Sequence, residues 1–264
     1  MYNHLQLAAK FTSYYLTASN GSGHGIHSPF VFDFITKVLT DKKVYPAYEI
    51  VEDLRRRLLK ESEVLTVEDF GAGSRIERGS RHTVSSIARH AAKPEKYGKL
   101  LYRMVNYYRP FTILELGTSL GITTAYLSTA NPDARVTTME GSSAIAEKAG
   151  QNFRDLQLSN INIVEGNFDT TLADVSKSSS LDFVFLDGNH RRDPTVCYFN
   201  TILQRITDQS IVVVDDIHWS PDMEEAWHTI KTNSAVKCSV DLFFMGIIFF
   251  RKDFVEQQHF TIRF

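Results

Sequence analysis

Cysteine is scarce in this sequence: Cys197 and Cys238 are its two cysteines, and they lie in separate segments. Two distant thiols provide neither a disulfide framework nor a zinc site. Both stand among apolar residues, where cysteine usually serves as a small core residue. We therefore expect a fold without cross-links, in which both thiols are buried.

Long apolar runs are also missing. No segment of the sequence approaches the ~20 consecutive apolar residues that a membrane-spanning helix needs. The first residues, MYNHLQLAAKF, lack the basic start, the apolar stretch and the small-residue cleavage site of a secretory signal. These absences predict a cytoplasmic protein that has no membrane partner.

An excess of positive charge is missing too, because 29 Lys and Arg residues are set against 31 Asp and Glu residues, for a formal net charge of −2. Proteins that bind nucleic acid usually carry a basic patch. The basic run Arg55-Arg56-Arg57 stands in a charge-mixed helical stretch, which favours a solvated helix face. We therefore expect no nucleic-acid partner.

The remaining composition is that of a globular domain, with 43% hydrophobic and 23% charged residues. The pattern changes near residue 110, from helices and loops to strands that alternate with helices. Ser28 followed by Pro29 is a typical helix start, because serine caps the N-terminus and proline fits the first turn. The helices predicted before residue 110 span residues 3–18, 29–39, 46–62, 80–92 and 94–108.

The second part contains five predicted strand–helix units. Near-continuous apolar strands separated by amphipathic helices are typical of a parallel sheet covered on both faces. Two β-rich runs, residues 236–244 and 246–251, then predict a terminal antiparallel hairpin. The sequence thus predicts an α/β fold with a mostly parallel seven-stranded sheet and a helical N-terminal extension. The five units have strands at 111–116, 135–140, 161–165, 182–187 and 211–215, and helices at 121–130, 142–157, 169–176, 192–207 and 222–232.

A glycine loop follows the first of these strands, in the run ELGTSLGITT from Glu115 to Thr124. Gly117 and Gly121 let the backbone turn sharply and let a ligand approach where a Cβ would clash. The helix that begins there offers free N–H groups and a positive potential to a carboxylate or phosphate. Thr123 either caps this helix or bonds the ligand.

The next two strand ends carry matching chemistry. The second strand ends in Glu140, followed by Gly141, and an acid there can accept both ribose hydroxyls of an adenosine. After the third strand, Phe168 is placed to stack on adenine, and Asn167 or Asp169 to bond its edge. All three loops follow the C-terminal ends of strands, where open α/β sheets bind ligands. The alternative is a set of ordinary turns in which glycine serves turn geometry alone.

A second glycine loop runs from Asp69 to Ser74, after the apolar run Val64–Val67. Its spacing matches the generic pattern D/E-x-G-x-G. However, no acid-ended strand is predicted about 20 residues further on, where a nucleotide site would need one. We therefore interpret it as a structural turn or as a segment that covers the site.

The run ILELGTSLGITTAYLS resembles the first motif of the catechol and caffeoyl-CoA O-methyltransferase group, E-x-G-T-x-x-G-x-S/T-T. Five strand–helix units and a terminal hairpin form the order of the Rossmann-like class I methyltransferase fold. The runs LDGNH and VVVDDIHW are similar to a bacterial branch of uncharacterised methyltransferases that depend on S-adenosylmethionine (SAM). The resemblance covers residues 96–251, and we predict a SAM-binding methyltransferase domain at 93–264 with a helical cap at 1–92.

The resemblance implies SAM as the cofactor and assigns residues to its parts. The glycine loop would hold the methionine part, Glu140 the ribose, Asn167 and Phe168 the adenine, and Asp187 would lie near the sulfonium. The loop at Asn167 is one residue shorter than the corresponding loop of the family. The predicted cofactor-binding residues are Glu115, Gly117, Thr118, Ser119, Gly121, Thr123, Glu140, Gly141, Asn167, Phe168 and Asp187.

The resemblance also implies a divalent cation, which this group holds with an Asp after strand four and an Asp-Asn pair after strand five. Asp187, Asp215 and Asp216 stand at those places here. Their oxygens are hard ligands that suit Mg²⁺ or Ca²⁺. Asp216 replaces the family's Asn, so the cluster either binds metal more avidly or binds none and uses Asp216 otherwise.

The family's catalytic lysine stands three residues after the strand-four Asp, where this sequence has His190. Histidine can take the proton of an acceptor hydroxyl. We therefore predict His190 and Asp187 as catalytic; the alternative for His190 is a surface residue that caps the next helix. His218 and Trp219 are candidates for lining the acceptor pocket, although a tryptophan that plugs the end of the sheet is an equal alternative.

The predicted function is SAM-dependent methyl transfer to a small molecule, at a hydroxyl oxygen. One alternative is a non-catalytic SAM-binding protein. A nicotinamide-dependent oxidoreductase is a weaker one, because the sequence has a terminal hairpin and lacks G-x-G-x-x-G. The aromatic-rich N-terminal part offers either acceptor-pocket walls or the surface of a homodimer.

Overall fold

The computed structural model describes residues 1–19, 21–23, 25–67, 80–175 and 180–264. The second glycine loop, from Asp69 to Ser74, lies outside the described residues. The chain divides into two compact units. Unit 1 is Met1–Asp41 together with Ser176–Phe264, and unit 2 is Lys42–Val175.

Helices and strands follow one another much as the sequence predicted. The elements are α1 (His4–Thr17), α2 (Pro29–Phe34), a π-helical turn (Ile35–Leu39), α3 (Pro46–Leu58), β1 (Val64–Val67), β2 (Ser80–Thr83), α4 (Val84–Ala91), α5 (Glu95–Tyr108), β3 (Thr112–Leu116), α6 (Ile122–Ala130), β4 (Arg135–Glu140), α7 (Ser143–Asp155), β5 (Ile161–Glu165), α8 (Phe168–Val175), β6 (Leu181–Leu186), α9 (Arg192–Leu203), β7 (Ile206–Asp215), α10 (Pro221–Lys231), β8 (Cys238–Asp241), β9 (Met245–Phe249) and β10 (Gln258–Thr261). Within the described ranges, no helix has both the length and the apolar character for crossing a membrane.

The sheet of unit 2 consists of β3, β4 and β5, side by side in that order, and both pairs are parallel. Leu116 pairs with Met139, and Glu140 pairs with Glu165, so the carboxyl ends of the three strands share one edge. All residues of β3 are buried, as expected of a strand covered on both faces. The predicted parallel βα units are confirmed in this part of the chain.

Helix α5 packs against α6 in unit 2. Leu100, Leu101 and Met104, which share one face of α5, are fully buried. Gly98 permits a close approach, because a Cβ there would lie 2.5 Å from Tyr126 Cε2. This apolar face is therefore the packed face of the helix.

The segment 80–92 is not helical throughout, contrary to prediction. Its first residues form β2, which pairs antiparallel with β1 so that Val64 lies opposite Thr83. The apolar run in β1 provides a partner strand, and this pairing outweighs the helical pattern of the segment. Helix α4 then starts at Val84, because the Thr83 hydroxyl accepts a hydrogen bond from the Ser86 N–H at 3.2 Å.

The sheet of unit 1 has the strand order β10, β8, β9, β7, β6. Strands β6 and β7 are parallel, whereas β9 is antiparallel to both β7 and β8, which confirms the terminal hairpin. Strand β10 pairs parallel with β8 and was not predicted, so among the described residues the sheet of unit 1 has one strand more than expected. Three of the four residues of β10 are exposed, and such an edge strand has no clear apolar alternation to reveal it.

Helix α1 is packed into unit 1. Phe11 meets Phe243 edge-on at 5.1 Å between ring centroids, and Tyr14 lies 5.2 Å from the same ring. Tyr14 and Phe243 are buried, and the Tyr14 hydroxyl donates a hydrogen bond to the carbonyl of Ile262. The first residues of the chain are therefore part of the core of unit 1.

The two cysteines differ in their surroundings. Cys238 is buried on β8, as predicted, and burial raises the pKa of its thiol to about 12. Cys197 is exposed on α9, so the prediction of a buried thiol is wrong for this residue. Its apolar sequence neighbours occupy the other face of the helix, because successive helical residues point in different directions.

Candidate functional site

The glycine loop after β3 adopts backbone conformations that favour glycine. Gly117 has a φ of +101° and Gly121 a φ of +81°, both in the left-handed region. A Cβ at position 121 would lie 2.4 Å from Phe153 Cε1, so a larger residue would displace that ring. Ser119 also has a positive φ, +48°, although it carries a side chain. Strained turns of this kind cluster at ligand sites.

Glu115 is fully buried on β3, immediately before this loop. Its Oε2 accepts a hydrogen bond from Thr138 Oγ1 at 2.7 Å and another from Thr124 Oγ1. Thr138 Oγ1 also lies 2.6 Å from Thr118 Oγ1, in the loop itself. Glu115 thus ties the loop, β4 and α6 together, and its contact with the cofactor stays a prediction.

Glu140, the acid at the end of β4, joins three loops of unit 2. Its Oε2 accepts a hydrogen bond from the Ser119 N–H at 2.9 Å, and its Oε1 accepts one from the Ser142 N–H at 3.0 Å. Its backbone carbonyl accepts a third from the Gly166 N–H at 2.9 Å. The residue is half-buried. The acid is therefore held in an orientation that suits two neighbouring hydroxyl donors, such as those of a ribose.

Asn167 begins helix α8 in the third loop. Its Oδ1 accepts a hydrogen bond from the Asp169 N–H at 2.9 Å, and its carbonyl accepts those of Thr170 and Thr171 at 3.1 and 3.0 Å. The carboxamide oxygen thus serves the helix start, which leaves the Nδ2 donor as the group suited to an adenine nitrogen. Phe168 is half-buried in the first turn, and its stacking on adenine stays a prediction.

Thr123 and Gly141 occupy the rims of the first two loops, and both are half-buried. Gly121 is the N-cap of α6, and in the described structure no side chain caps this helix. Ligand binding therefore remains as the predicted role of Thr123.

The backbone itself holds the first two loops together. The N–H groups of Gly117 and Thr118 both donate to the Met139 carbonyl at 3.0 Å. Unit 2 therefore places positive-φ glycines, a ribose-type acid and an aromatic side chain around one edge of its sheet. This donor and acceptor set fits an adenosine that carries a polar chain, which is the chemistry of SAM.

Two acids meet at the edge of the sheet in unit 1. Leu186 pairs with Val214 on the parallel strands β6 and β7, so Asp187 and Asp215 follow at the same level. Asp187, His190 and Asp215 each place one ligand atom within 4.8 Å of the others, and Asp215 is buried. The structure thus brings together two of the acids that the sequence singled out.

The backbone at His190, the third member of this cluster, has an unusual conformation. Asn189 has a φ of +69° and His190 a φ of +34°, and His190 Nε2 lies 3.5 Å from Asp187 Oδ1. The sequence predicted His190 and Asp187 as a catalytic pair, and the structure places His190 beside both Asp187 and Asp215.

Asp216 is placed differently from Asp215. Among the described residues, the cluster of ligand atoms does not include it. Its φ is +52°, its N–H donates to the Phe244 carbonyl at 2.7 Å, and its own carbonyl accepts the Trp219 N–H at 2.9 Å. The backbone of Asp216 is thus fixed in a tight turn, and its role as a metal ligand stays a prediction.

His218 is held on both sides by acids that the sequence did not reveal. Its Nδ1 lies 3.0 Å from Glu224 Oε1, and its Nε2 lies 2.8 Å from Asp241 Oδ2. Burial lowers the pKa of His218, but hydrogen bonds and charges from Asp241 and Glu224 raise it more, so the pKa lies above its usual value. Glu224 follows His218 by six positions and Asp241 follows it by 23, and no recognised motif connects the three residues.

A family model described as a methyltransferase domain matches residues 114–217. The match begins inside β3 and ends just after Asp216, so it spans the glycine loop, Glu140 and the acids after β6 and β7. None of the curated proteins matches the chain at a significant level.

Several solved structures share the fold. The methyltransferase PaMTH1 of Podospora anserina, bound to S-adenosylhomocysteine (SAH), is 12% identical; the match covers 96% of this chain and 98% of that one, with a TM-score of 0.59. The O-methyltransferase TomG of Streptomyces achromogenes, in complex with SAM, is 17% identical over 79% of this chain and 91% of that one, with a TM-score of 0.57. An O-methyltransferase of Bacillus cereus with SAH is 18% identical; the match covers 83% of this chain and 97% of that one, with a TM-score of 0.56. Residues 114–217 therefore match a methyltransferase domain, and the chain shares the class I fold of these solved methyltransferases, as the sequence predicted.

Proposed function

We propose that this enzyme transfers the methyl group of SAM to a hydroxyl oxygen of a small molecule. The observation that carries the proposal is the hydrogen-bonded position of Glu140 between the glycine loop and the next two strand ends. The O-methyltransferase neighbours support oxygen as the accepting atom. The balanced charge, with a net value of −2, favours a small acceptor over a nucleic acid.

In this proposal unit 2 holds the cofactor. When bound, SAM supplies a methyl group on a sulfonium, which is already electrophilic. The backbone around Gly117 and Gly121 would hold the methionine part, together with Thr118, Ser119 and Thr123. Glu140 and Gly141 would hold the ribose, and Asn167 and Phe168 the adenine, while Glu115 keeps the loop in shape.

The acids after β6 and β7 would serve the acceptor. His190 is the group that would take the proton from the acceptor hydroxyl, and Asp187, 3.5 Å away, would orient the imidazole and stabilise its positive charge. A divalent cation, held by Asp187 and Asp215 with Asp216, would lower the pKa of that hydroxyl. We also place Asp187 among the residues that contact the cofactor.

We propose that residues 1–92 form a cap that supplies walls of the acceptor pocket. We further propose that the enzyme acts in the cytoplasm and forms a homodimer. Its aromatic N-terminal part is the surface that motivates both the cap and the dimer.

A methylation screen tests the proposed function. The protein is incubated with methyl-labelled SAM and with phenols, catechols, sugars and small acids, each with Mg²⁺ and with a chelator. We expect label in at least one hydroxyl-bearing acceptor, loss of transfer in Glu140→Ala, and unchanged transfer in Glu147→Ala, an exposed acid on α7. Transfer to no acceptor by a protein that still binds SAH would contradict the proposal and favour a non-catalytic SAM-binding protein.

A further inference from the structure

Tyr2 and helix α1 contact the carboxylate of Glu224 on α10. The Tyr2 hydroxyl donates to Glu224 Oε2 at 2.7 Å. The Lys10 ammonium donates to Oε1 at 2.9 Å and to Oε2 at 3.0 Å. The backbone N–H of Tyr2 also donates to the Trp219 carbonyl at 3.2 Å. The start of the chain is therefore bound to both the side chain and the backbone of this region.

Glu224 passes this connection on to a buried histidine. The same Oε1 lies 3.0 Å from His218 Nδ1, and His218 Nε2 lies 2.8 Å from Asp241 Oδ2 on β8. The imidazole stacks on Phe243, with 5.1 Å between ring centroids and 25° between planes. Asp241 Oδ1 in turn accepts the Phe243 N–H at 2.8 Å. His218 is thus fixed in position and in ring orientation by groups on α10, on β8 and in the turn after β8.

A second, apolar contact completes the attachment. Phe11 of α1 meets Phe243 edge-on at 5.1 Å and stacks on Phe244 at 6.0 Å. The Phe244 carbonyl accepts the Asp216 N–H at 2.7 Å, and the Asp216 carbonyl accepts the Trp219 N–H at 2.9 Å. The segment Asp216–Trp219 is therefore tied down at its first residue through Phe244 and at its last residue through Tyr2.

Such attachment has a physical reason. Asp216 has a φ of +52°, a conformation that non-glycine residues adopt only when their surroundings enforce it. Asp215, the neighbouring residue, belongs to the cluster with Asp187 and His190. A change in the backbone of Asp216 would therefore move the carboxylate of Asp215 away from its partners.

We propose that Tyr2 and helix α1 form a positioning clamp: Tyr2 and Lys10, acting through Glu224 and His218, hold the segment Asp216–Trp219 in the backbone conformation that the acceptor chemistry requires. The effect on turnover rests on the proposed function, whereas the clamp itself is a property of unit 1. Tyr2, Lys10, Glu224 and His218 are positioning residues, because each acts on the acids through the backbone of this segment.

The test removes two donors without touching the cluster. The double variant Tyr2→Phe/Lys10→Met loses the side-chain hydrogen bonds of Tyr2 and Lys10 to Glu224. The control is Tyr15→Phe/Lys37→Met, which changes exposed residues of the same two types in unit 1. Hydrogen exchange of the amides at 216–219 reports the clamp, and exchange at 117–121 is an internal reference. Turnover of the acceptor and calorimetry with SAH report the two substrates separately.

We expect about tenfold faster exchange at 216–219 in the double variant, with the reference loop unchanged, because local opening depends on the contacts that hold a segment. We expect kcat for the acceptor to fall about tenfold, while the Kd for SAH stays the same. Restoring a cation in Tyr2→Phe/Lys10→Arg should recover most of both effects, since Arg can still pair with Glu224.

Unchanged exchange at 216–219 would overturn the clamp, whatever happens to activity. Faster exchange with unchanged turnover would overturn its role in the reaction. If the unaltered protein methylates nothing in the screen, the proposed function fails, and the exchange result alone still confirms or overturns the clamp.

Discussion

The Glu140 carboxylate accepts a hydrogen bond from the Ser119 N–H at 2.9 Å, so the acid at the end of β4 is bound to the glycine loop after β3. The two residues are 21 positions apart in the sequence and come from separate loops. The interaction orients the carboxylate through the protein's own backbone. Preorganisation of this kind lowers the entropy that a bound ligand must lose.

Replacing Glu140 should therefore weaken SAH binding. Glu140→Ala removes the acceptor of the ribose hydroxyls and also the anchor of Ser119, so we expect the Kd to rise roughly 10- to 100-fold, the range for a lost hydrogen bond to a charged group. Titration calorimetry measures the change, with Glu147→Ala as the control. An unchanged Kd in a folded Glu140→Ala protein would remove Glu140 from the site.

Gly121 should be irreplaceable for a steric and a conformational reason. A Cβ there would lie 2.4 Å from Phe153 Cε1, and the φ of +81° disfavours any L-residue. We expect Gly121→Ala to lower the free energy of unfolding by about 1–3 kcal/mol. Denaturant unfolding measures this, and Gly121→Ala/Phe153→Leu should recover the steric part alone. Equal stability of Gly121→Ala and the parent protein would contradict the geometry of the loop.

His190 should affect turnover more than binding. Removal of a proton acceptor typically lowers kcat about 10²- to 10⁴-fold. We expect such a loss in His190→Ala with an unchanged Kd for SAH, because His190 lies with Asp187 and Asp215 and not in the glycine loop. Steady-state kinetics with the best acceptor from the screen measure it, and Arg191→Ala, one position further on, is the control. Full turnover in His190→Ala would show that His190 is a surface residue that takes no part in the reaction.

Metal binding should be visible without activity. If Asp187 and Asp215 hold a divalent cation, Mg²⁺ or Mn²⁺ raises the Tm by binding the folded state alone. Asp215→Asn should abolish the increase, and Asp193→Asn, an exposed acid on α9, should not. Chelator should reverse the effect in the parent protein. No increase with either ion would count against a metal at this cluster.

The ion-pair cluster at Lys148 should make stability depend on pH. Lys148 Nζ lies 2.6 Å from Glu63 Oε2 and also bonds Glu61. The Lys148 hydrogen bond holds the pKa of Glu63 below its usual value; burial lowers the pKa of Lys148, but Glu61 and Glu63 raise it more. The Glu63 contribution is therefore present above its usual pKa and is lost as the pH falls through the lowered one. The Lys148 contribution is present below its usual pKa and is lost as the pH rises through the raised one.

Lys148→Met should thus lower the free energy of unfolding by about 1 kcal/mol at neutral pH, a value limited by the partial exposure of both acids. The difference should shrink in acid, where Glu63 is protonated. Urea unfolding at several pH values measures it, with the exposed Lys60→Met as the control. A difference that does not vary with pH would show that packing, not charge, accounts for the loss.

The strand ends could be predicted from sequence because parallel strands bring consecutive loops to one edge. In the structure, Glu140 pairs with Glu165, so the loops after β4 and β5 start at the same edge of the sheet. The antiparallel pair β1–β2 and the edge strand β10 could not be predicted from the sequence. Short strands have a weak apolar pattern, and their stability depends on the strands with which they pair. The contacts of Tyr2 with Glu224 and of His218 with Asp241 span 222 and 23 positions, so only the folded chain reveals them.

Titration calorimetry with SAM and, separately, with NAD tests the central claim that the three loops of unit 2 form a SAM site. The account predicts saturable binding of SAM at a single site per chain and no binding of NAD, because the glycine loop lacks the G-x-G-x-x-G spacing of a dinucleotide site. Binding of NAD without SAM, or of neither ligand by the folded protein, would contradict it.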